Sequence, residues 1–226
     1  PRYLYAFELV RLSELDKAIT ILDKAMIIAK QNKDNSGIAG INTIYGHIYK
    51  NKAHYQEAIH SYELALEIRV KEKKLQDEAK VLNGLAQCYN DTGESSKAFE
   101  CYNRSIQIKR QIDDKQGVAN SLSNLSISYR DVGDYAKAIQ YSKEAIEYFN
   151  DIENPASRYR NLMQLGTYQV IVGYLDEGKG NLNKSLDFML KVHDYKSAGM
   201  IHRYLGLIAV NNQNWESAQT QFIKAL

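Results

Sequence analysis

One pattern of forty residues returns along this chain without a gap, in units opening at Ser36, Gln76, Gln116, Ala156 and Lys196. Ten residues into each unit the side chain is small: Gly46, Ala86, Ser126, Gly166, Gly206. Just before it stand Tyr45, Leu85, Leu125, Leu165 and Leu205. Two further small columns follow, Ala58, Ala98, Ala138, Gly178, Ala218 and then Ala65, Ser105, Ala145, Ser185, Ala225. A fixed period of this size marks a repeat array. In such an array each unit contacts mainly its neighbours, so the chain grows as one stack rather than as separate globules.

Each unit reads as two helices. In the copy from Gln116 to Pro155, Val118, Leu122, Leu125 and Tyr129 recur every three or four residues and mark one face of a helix ending near Asp131. Gly133 closes it, and Asp134 suits the N-cap of the next. That second helix carries Ala138, Tyr141, Ala145, Ile146 and Phe149 and fades near Asn150. The segments Asp114–Gly117 and Asn154-Pro155 read as turns between units. Only two prolines occur, Pro1 and Pro155, and helix formers dominate. The expected fold is therefore all-α: an α-solenoid of about six helical hairpins forming a single domain over 1–226. Its repeats fall near 1–35, 36–75, 76–115, 116–155, 156–195 and 196–226, the first and last incomplete. The expected helices run near 37–52, 55–72, 77–92, 95–112, 117–132, 134–150, 156–172, 175–191, 197–212 and 215–226. The array shows no polar cap at either end, which solenoids need, so the chain reads as part of a longer protein.

Composition narrows the function. A hydrophobic content of 44% with 25% charged residues suits a chain that buries a core. The net charge of +2 lacks the concentrated basic stripe of a nucleic-acid binder. No apolar run reaches the about 18 residues of a membrane span, and no signal peptide precedes the repeats. The expected location is thus cytoplasmic. Cys88 and Cys101 lie on different predicted helices and read as free thiols, forming neither a disulfide framework nor a zinc spacing. His47, His54, His60, His193 and His202 are scattered, so neither metal nor cofactor is expected. No phosphate-binding loop or nucleophile elbow is present, and the segment does not read as an enzyme. Most of the seventeen tyrosines occupy core columns, and Trp215, aligned with Tyr55 and Tyr135, reads as a packing residue.

These columns resemble the tetratricopeptide repeat over nearly the whole chain. The family's Leu, Gly, two variable residues and Tyr appear as Leu85-Ala86…Tyr89 and Leu125-Ser126…Tyr129, although Gln169 and Ala209 replace the Tyr in the last two units. Its Ala followed four residues later by an aromatic appears as Ala58…Tyr62, Ala98…Tyr102 and Ala218…Phe222. The usual period is about 34 residues. Here it is forty, and the family's Pro late in the second helix gives way to Val70, Arg110 and Asn150. The longer unit is similar to the repeats of kinesin light chain, spindle-orientation scaffolds and bacterial signalling proteins.

The resemblance implies that the first helices line a concave groove. The residues facing it would include Lys50, Asn51, Lys80, Asn83, Gln87, Asn90, Asn120, Ser123, Arg130, Arg160 and Arg203. Asn and Gln both donate and accept, which suits the alternating groups of an extended peptide. The cations suit carboxylates. Farther on the ladder turns apolar at Met163, Val170, Ile171, Leu207 and Val210, and Tyr3, Phe7 and Val10 do the same at the other end. Such patches suit a partner helix, a second copy of the chain, or more of the same polypeptide. The carboxylate clamp of some family members would fall on Tyr3 and Phe7, or on Thr43 and His47, and neither pair fits it. The expected function is a protein–protein interaction module that binds an extended peptide or partner segment in the concave groove, its cations favouring acidic side chains on that partner. The alternative is the sensory or regulatory part of a larger bacterial signalling protein: a histidine kinase, cyclase or transcription factor.

Overall fold

A computed structural model describes Val10 and residues 14–226. Among them are eleven helices: α1 (Leu15–Gln31), α2 (Asn35–Asn51), α3 (Tyr55–Lys71), α4 (Leu75–Asp91), α5 (Ser95–Gln111), α6 (Lys115–Asp131), α7 (Tyr135–Asp151), α8 (Pro155–Ile171), α9 (Leu175–Lys191), α10 (Tyr195–Asn211) and α11 (Trp215–Lys224). No strand interrupts the described residues. The chain is all-α, as its periodicity requires. Tyr3 and Phe7 lie outside the described residues. No helix of the described part is long and apolar enough to cross a membrane.

Ten of the helices have 17 residues, and three residues join each to the next, so the backbone repeats every twenty residues rather than every forty. The linkers share one hydrogen-bond scheme. In the first, Lys33 N–H donates to Lys30 C=O at 3.1 Å and Asp34 N–H reaches Ala29 C=O at 2.8 Å, which satisfies carbonyls that a helix end leaves open. This requires a left-handed residue in the middle of the linker. Gly93, Gly133 and Gly173 supply it at φ of +80°, +80° and +91°, while Lys33, Ala53, Lys73, Asp113, Glu153, His193 and Gln213 adopt it at +51° to +58°. A Cβ at Gly133 would meet open space. Gly133→Ala is therefore expected to cost about 1 kcal/mol through backbone strain alone. A chemical-denaturation midpoint checks it, and an unchanged midpoint would mean that this turn carries no strain.

In five of the linkers the third residue also caps the following helix. Asp34, Asp134, Asn154, Asp194 and Asn214 each accept the backbone N–H three residues on, at 2.8 to 3.1 Å. The helices α2, α4, α6 and α10 start two residues before their expected positions, and α8 one residue before. Asn154 is a cap, and Pro155 stands at the first helical position, where its missing N–H costs nothing.

The chain divides into two compact units, residues 1–114 and 115–226. In the first, α2 and α3 form one hairpin and α4 and α5 the next; α1 packs on α2, α3 on α4, and α2 also reaches α4. In the second, the hairpins are α6–α7, α8–α9 and α10–α11, with α7 on α8, α9 on α10, and α8 against α10. The small columns sit at the crossings: Ala58, Ala65, Ala98, Ser105, Ala138, Ala145 and Ser185 are completely buried. Where the column holds serine, its hydroxyl bonds a backbone carbonyl of the facing helix, Ser105 to Ala79 at 2.8 Å and Ser185 to Tyr159 at 2.6 Å. Large residues fill the space alongside. The core of the second unit joins Leu182, Met189, Ile201, Leu205 and Ile208, and Met163 belongs to it rather than to a surface ladder. Trp215 departs from the packing role expected of it and stands 66% exposed, whereas Tyr135 in the aligned position lies against Tyr168, 6.3 Å between centroids.

Candidate functional site

The eleven residues singled out on the first helices divide between the two units. Lys50, Asn51, Lys80, Asn83, Gln87 and Asn90 stand on α2 and α4 of the first. Asn120, Ser123, Arg130, Arg160 and Arg203 stand on α6, α8 and α10 of the second.

In the first unit α2 and α4 lie side by side, and Lys50 Nζ donates to Gln87 Oε1 across them at 2.5 Å. Asn83, Gln87 and Asn90 are half-buried, while Asn51 and Lys80 are exposed. Beside this row His47 Nδ1 is hydrogen-bonded to the hydroxyl of Tyr62 at 2.9 Å. Burial, with a smaller push from Lys50, lowers the imidazole to about 4, so His47 is neutral near pH 7. Burial also raises the Tyr62 phenol far above its ordinary range. This row offers amides and one exposed cation, Lys80, rather than a chain of free charges.

Two residues of this unit escaped the sequence reading. Arg69, aligned with Met189 and Phe149 of the second unit, is buried and ties three helices together. Its guanidinium donates to the Ser36 hydroxyl at 2.9 Å and Glu72 at 3.0 Å, and lies 3.6 Å from Asp77. Lys109 occupies the same column one repeat later and is 6% exposed. Burial lowers its amine to about 8, against the attraction of Asp114 and with a further push from Lys80.

In the second unit the pattern differs. Gln116 Nε2 donates to Asn120 Oδ1 at 3.1 Å, and the carbonyl of Ser123 accepts from the Ser126 hydroxyl at 2.8 Å. Arg130 donates twice to Asp131, through Nε at 2.9 Å and Nη2 at 2.5 Å, so its charge is matched from within. Arg160 and Arg203 are exposed on α8 and α10. These two helices hold Arg158, Arg160, Lys196 and Arg203 and not one Asp or Glu. Between the cations, Ile171, Met200, Leu207 and Val210 stand 36% to 49% exposed, with Val170 half-buried next to them. The carboxylate of Asp194 feels Arg160, but it is held below the ordinary range chiefly by the N–H and hydroxyl of Ser197 as it caps α10.

Models of the tetratricopeptide repeat match residues 39–69 and 77–151. The chain belongs to the tetratricopeptide-repeat family. No curated protein matches it significantly by sequence. Among solved tetratricopeptide and related structures, the apo form of RapI superposes with a TM-score of 0.83 at 16% identity, covering 99% of this chain and 94% of that one. A signal transduction ATPase with numerous domains and a tetratricopeptide repeat sensor, from Pyrococcus horikoshii, gives 0.85 at 20% identity over 99% of this chain, which spans only 35% of that protein. A kinesin light chain with nearly identical tetratricopeptide-like repeats, from Podosopora anserina, gives 0.68 at 16% identity over 81% and 91%. These likenesses establish the tetratricopeptide fold.

Proposed function

We propose that the chain is a non-catalytic protein-interaction module whose first-helix faces capture extended segments of partner proteins, with acidic and apolar side chains preferred on α8 and α10. The observation that carries this reading is the charge segregation of the second unit. Two adjacent helices expose cations and aliphatic side chains without a carboxylate of their own. A charged guanidinium forms strong paired bonds with a carboxylate, and exposed apolar side chains gathered between charges mark a contact surface. In the first unit, Asn83 and Asn90 supply amides suited to a ligand backbone.

The test is an array of labelled peptides in which Leu is interspersed with Glu, Gln or Lys. Wild-type chain is expected to retain the Glu series best, and retention should fall as salt screens the contact. Arg160→Glu with Arg203→Glu is expected to weaken that binding tenfold or more while the helical melt stays within a degree or two. Equal binding by this double variant would show that α8 and α10 are only a solvated face. Sedimentation over a concentration series distinguishes a second copy of the chain from a foreign partner on the apolar residues.

A second reading is supported by the archaeal ATPase, whose repeat sensor sits in a much larger protein. In it, the repeats are the sensory or regulatory part of a longer signalling chain, and the captured segment sets the state of an output domain.

A further inference from the structure

Comparing the repeats column by column shows a space that a ring fills in the third and fourth repeats and that the sixth leaves without one. In the second, a cavity of about 450 Å³ lies beside Tyr49 and Ser61 in the same columns. In the third repeat, Tyr89 lies between α3, α4 and α5, with its hydroxyl donating to Glu63 at 2.9 Å and Lys97 Nζ 5.2 Å from its ring centre. In the fourth, Tyr129 stacks on Tyr141 at 5.4 Å between centroids, with Lys137 Nζ 4.8 Å from its ring. In the fifth repeat the pair becomes Gln169 and Asn181, which close the space with a 2.7 Å hydrogen bond. In the sixth it becomes Ala209 and Gln221, and Gln221 turns instead to His202 Nδ1 at 2.7 Å. Nothing then replaces the phenol ring. A cavity of about 310 Å³ remains among α9, α10 and α11, floored by Leu205, Ile208 and Ala209 and rimmed by Lys179, Asn183 and Ser217. Asn183 and Ser217 stand where Glu63 and Lys97 hold the ring of Tyr89, and Lys179 stands one helical turn before Asn183, in the column of Ile59. It opens on the flank of α10 opposite Arg203 and Leu207, so it is separate from the face proposed to bind partners.

We infer that this cavity is a binding site for a small monocyclic aromatic acid. The ring is specified by the tyrosines that fill the equivalent space in two other repeats. The volume lies at the small end of the range typical of ligand pockets. The acid group is specified by the lining, in which Lys179 is the single charged residue, and a cation at a rim of amides and a hydroxyl favours a carboxylate. The floor is apolar and buried, so ring burial supplies the affinity while the rim fixes orientation.

The experiment titrates wild-type chain with 4-hydroxyphenylacetate by calorimetry and follows backbone amide signals by NMR. A Kd of about 1 mM is expected for a ligand of this size, with shifts at Lys179, Ala209 and Ser217. Ala209→Tyr rebuilds the ring from within and is expected to raise the melting temperature and abolish binding. Ala209→Gln, the choice of the fifth repeat, gives the same test with a smaller side chain. Lys179→Gln should weaken the acid about tenfold and leave N-acetyltyrosinamide, an uncharged probe for a peptide-borne ring, unaffected. Equal binding of cyclohexylacetate would overturn the aromatic requirement. Tighter binding of N-acetyltyrosinamide than of the acid would move the source to a polypeptide side chain and overturn the acid. No amide shift at tenfold the expected Kd, or unchanged binding by both Ala209 variants, would show that the cavity holds water alone.

Discussion

Gly166→Leu is expected to cost about 3 kcal/mol or more, at the upper end of what overpacking does. A Cβ added at Gly166 would lie 2.9 Å from the carbonyl oxygen of Gly178, 2.9 Å from Leu182 Cγ and 3.1 Å from Leu182 N. Two of these three atoms are backbone of α9, so no rotamer change relieves the contact and the two helices must separate. Gly178 faces the same crossing, its own Cβ position 3.0 Å from the Gly166 carbonyl oxygen. Gly46 and Gly206 meet aromatic rings instead, Tyr62 at 2.5 Å and Phe222 at 2.6 Å. Ala138→Leu, at a fully buried crossing, is expected to behave like Gly166→Leu. Lys143→Leu, on an exposed face, should move stability by under about 0.5 kcal/mol. Urea titration of the three variants measures this. A loss below half a kcal/mol at Gly166 would mean that α8 and α9 do not touch there.

Lys109→Met is expected to stabilise the chain by about 3 kcal/mol at pH 7, the unusual case of a substitution that improves on the native residue. The aligned position of the fifth repeat is Met189, 2% exposed, so the column accepts this side chain. The amine's value in the fold is near 8 against an ordinary 10.5. Between those values the unfolded chain holds a proton that the folded chain releases, so stability rises with pH across that window. Below it both states are charged and the fold bears the whole cost of burying an ammonium group, about 1.4 kcal/mol for each unit. The variant should therefore gain most at neutral pH, and its advantage should shrink between pH 8 and 10.5. Denaturant midpoints across that range give the answer. A variant less stable than wild type at pH 7 would show that the pairing of Lys109 with Asp114 outweighs its burial.

Much of the fold was legible because backbone contact constrains residue size more tightly than residue chemistry. Gly166 and Ala138 stand in columns where only a small side chain fits, and a column repeated five times is visible without coordinates. Helix ends were legible wherever a glycine marked the left-handed position, as Gly133 does. They were equally legible where Glu153 or His193 adopts that conformation, the expected ends at 150 and 191 falling within one residue of Asp151 and Lys191, because the period carries the boundary from repeat to repeat. The first helices, by contrast, began early. Gln116-Gly117 has the look of a turn, yet glycine in the first turn of a helix is inexpensive because that turn lacks internal partners for its N–H groups. The candidate site was less legible. Its columns lie on the first helices, but the state of each charge depends on contacts between residues far apart in sequence, such as Lys50 with Gln87. Met163 shares a column with Asn83 and Arg203, and only packing shows that its flexible chain turns inward. The cavity beside Ala209 was half visible: the missing tyrosine showed in the column, while the retreat of Gln221 toward His202 did not.

The uniform three-residue joint has a consequence for how such a gene can change. Because every helix leaves and enters through the same backbone conformation, an unequal crossover between any two joints of the same kind would splice intact helices and leave no malformed turn behind. The array could thus lengthen or shorten by whole hairpins with its joints ready-made, and selection would then act only on the side chains of the faces newly brought together.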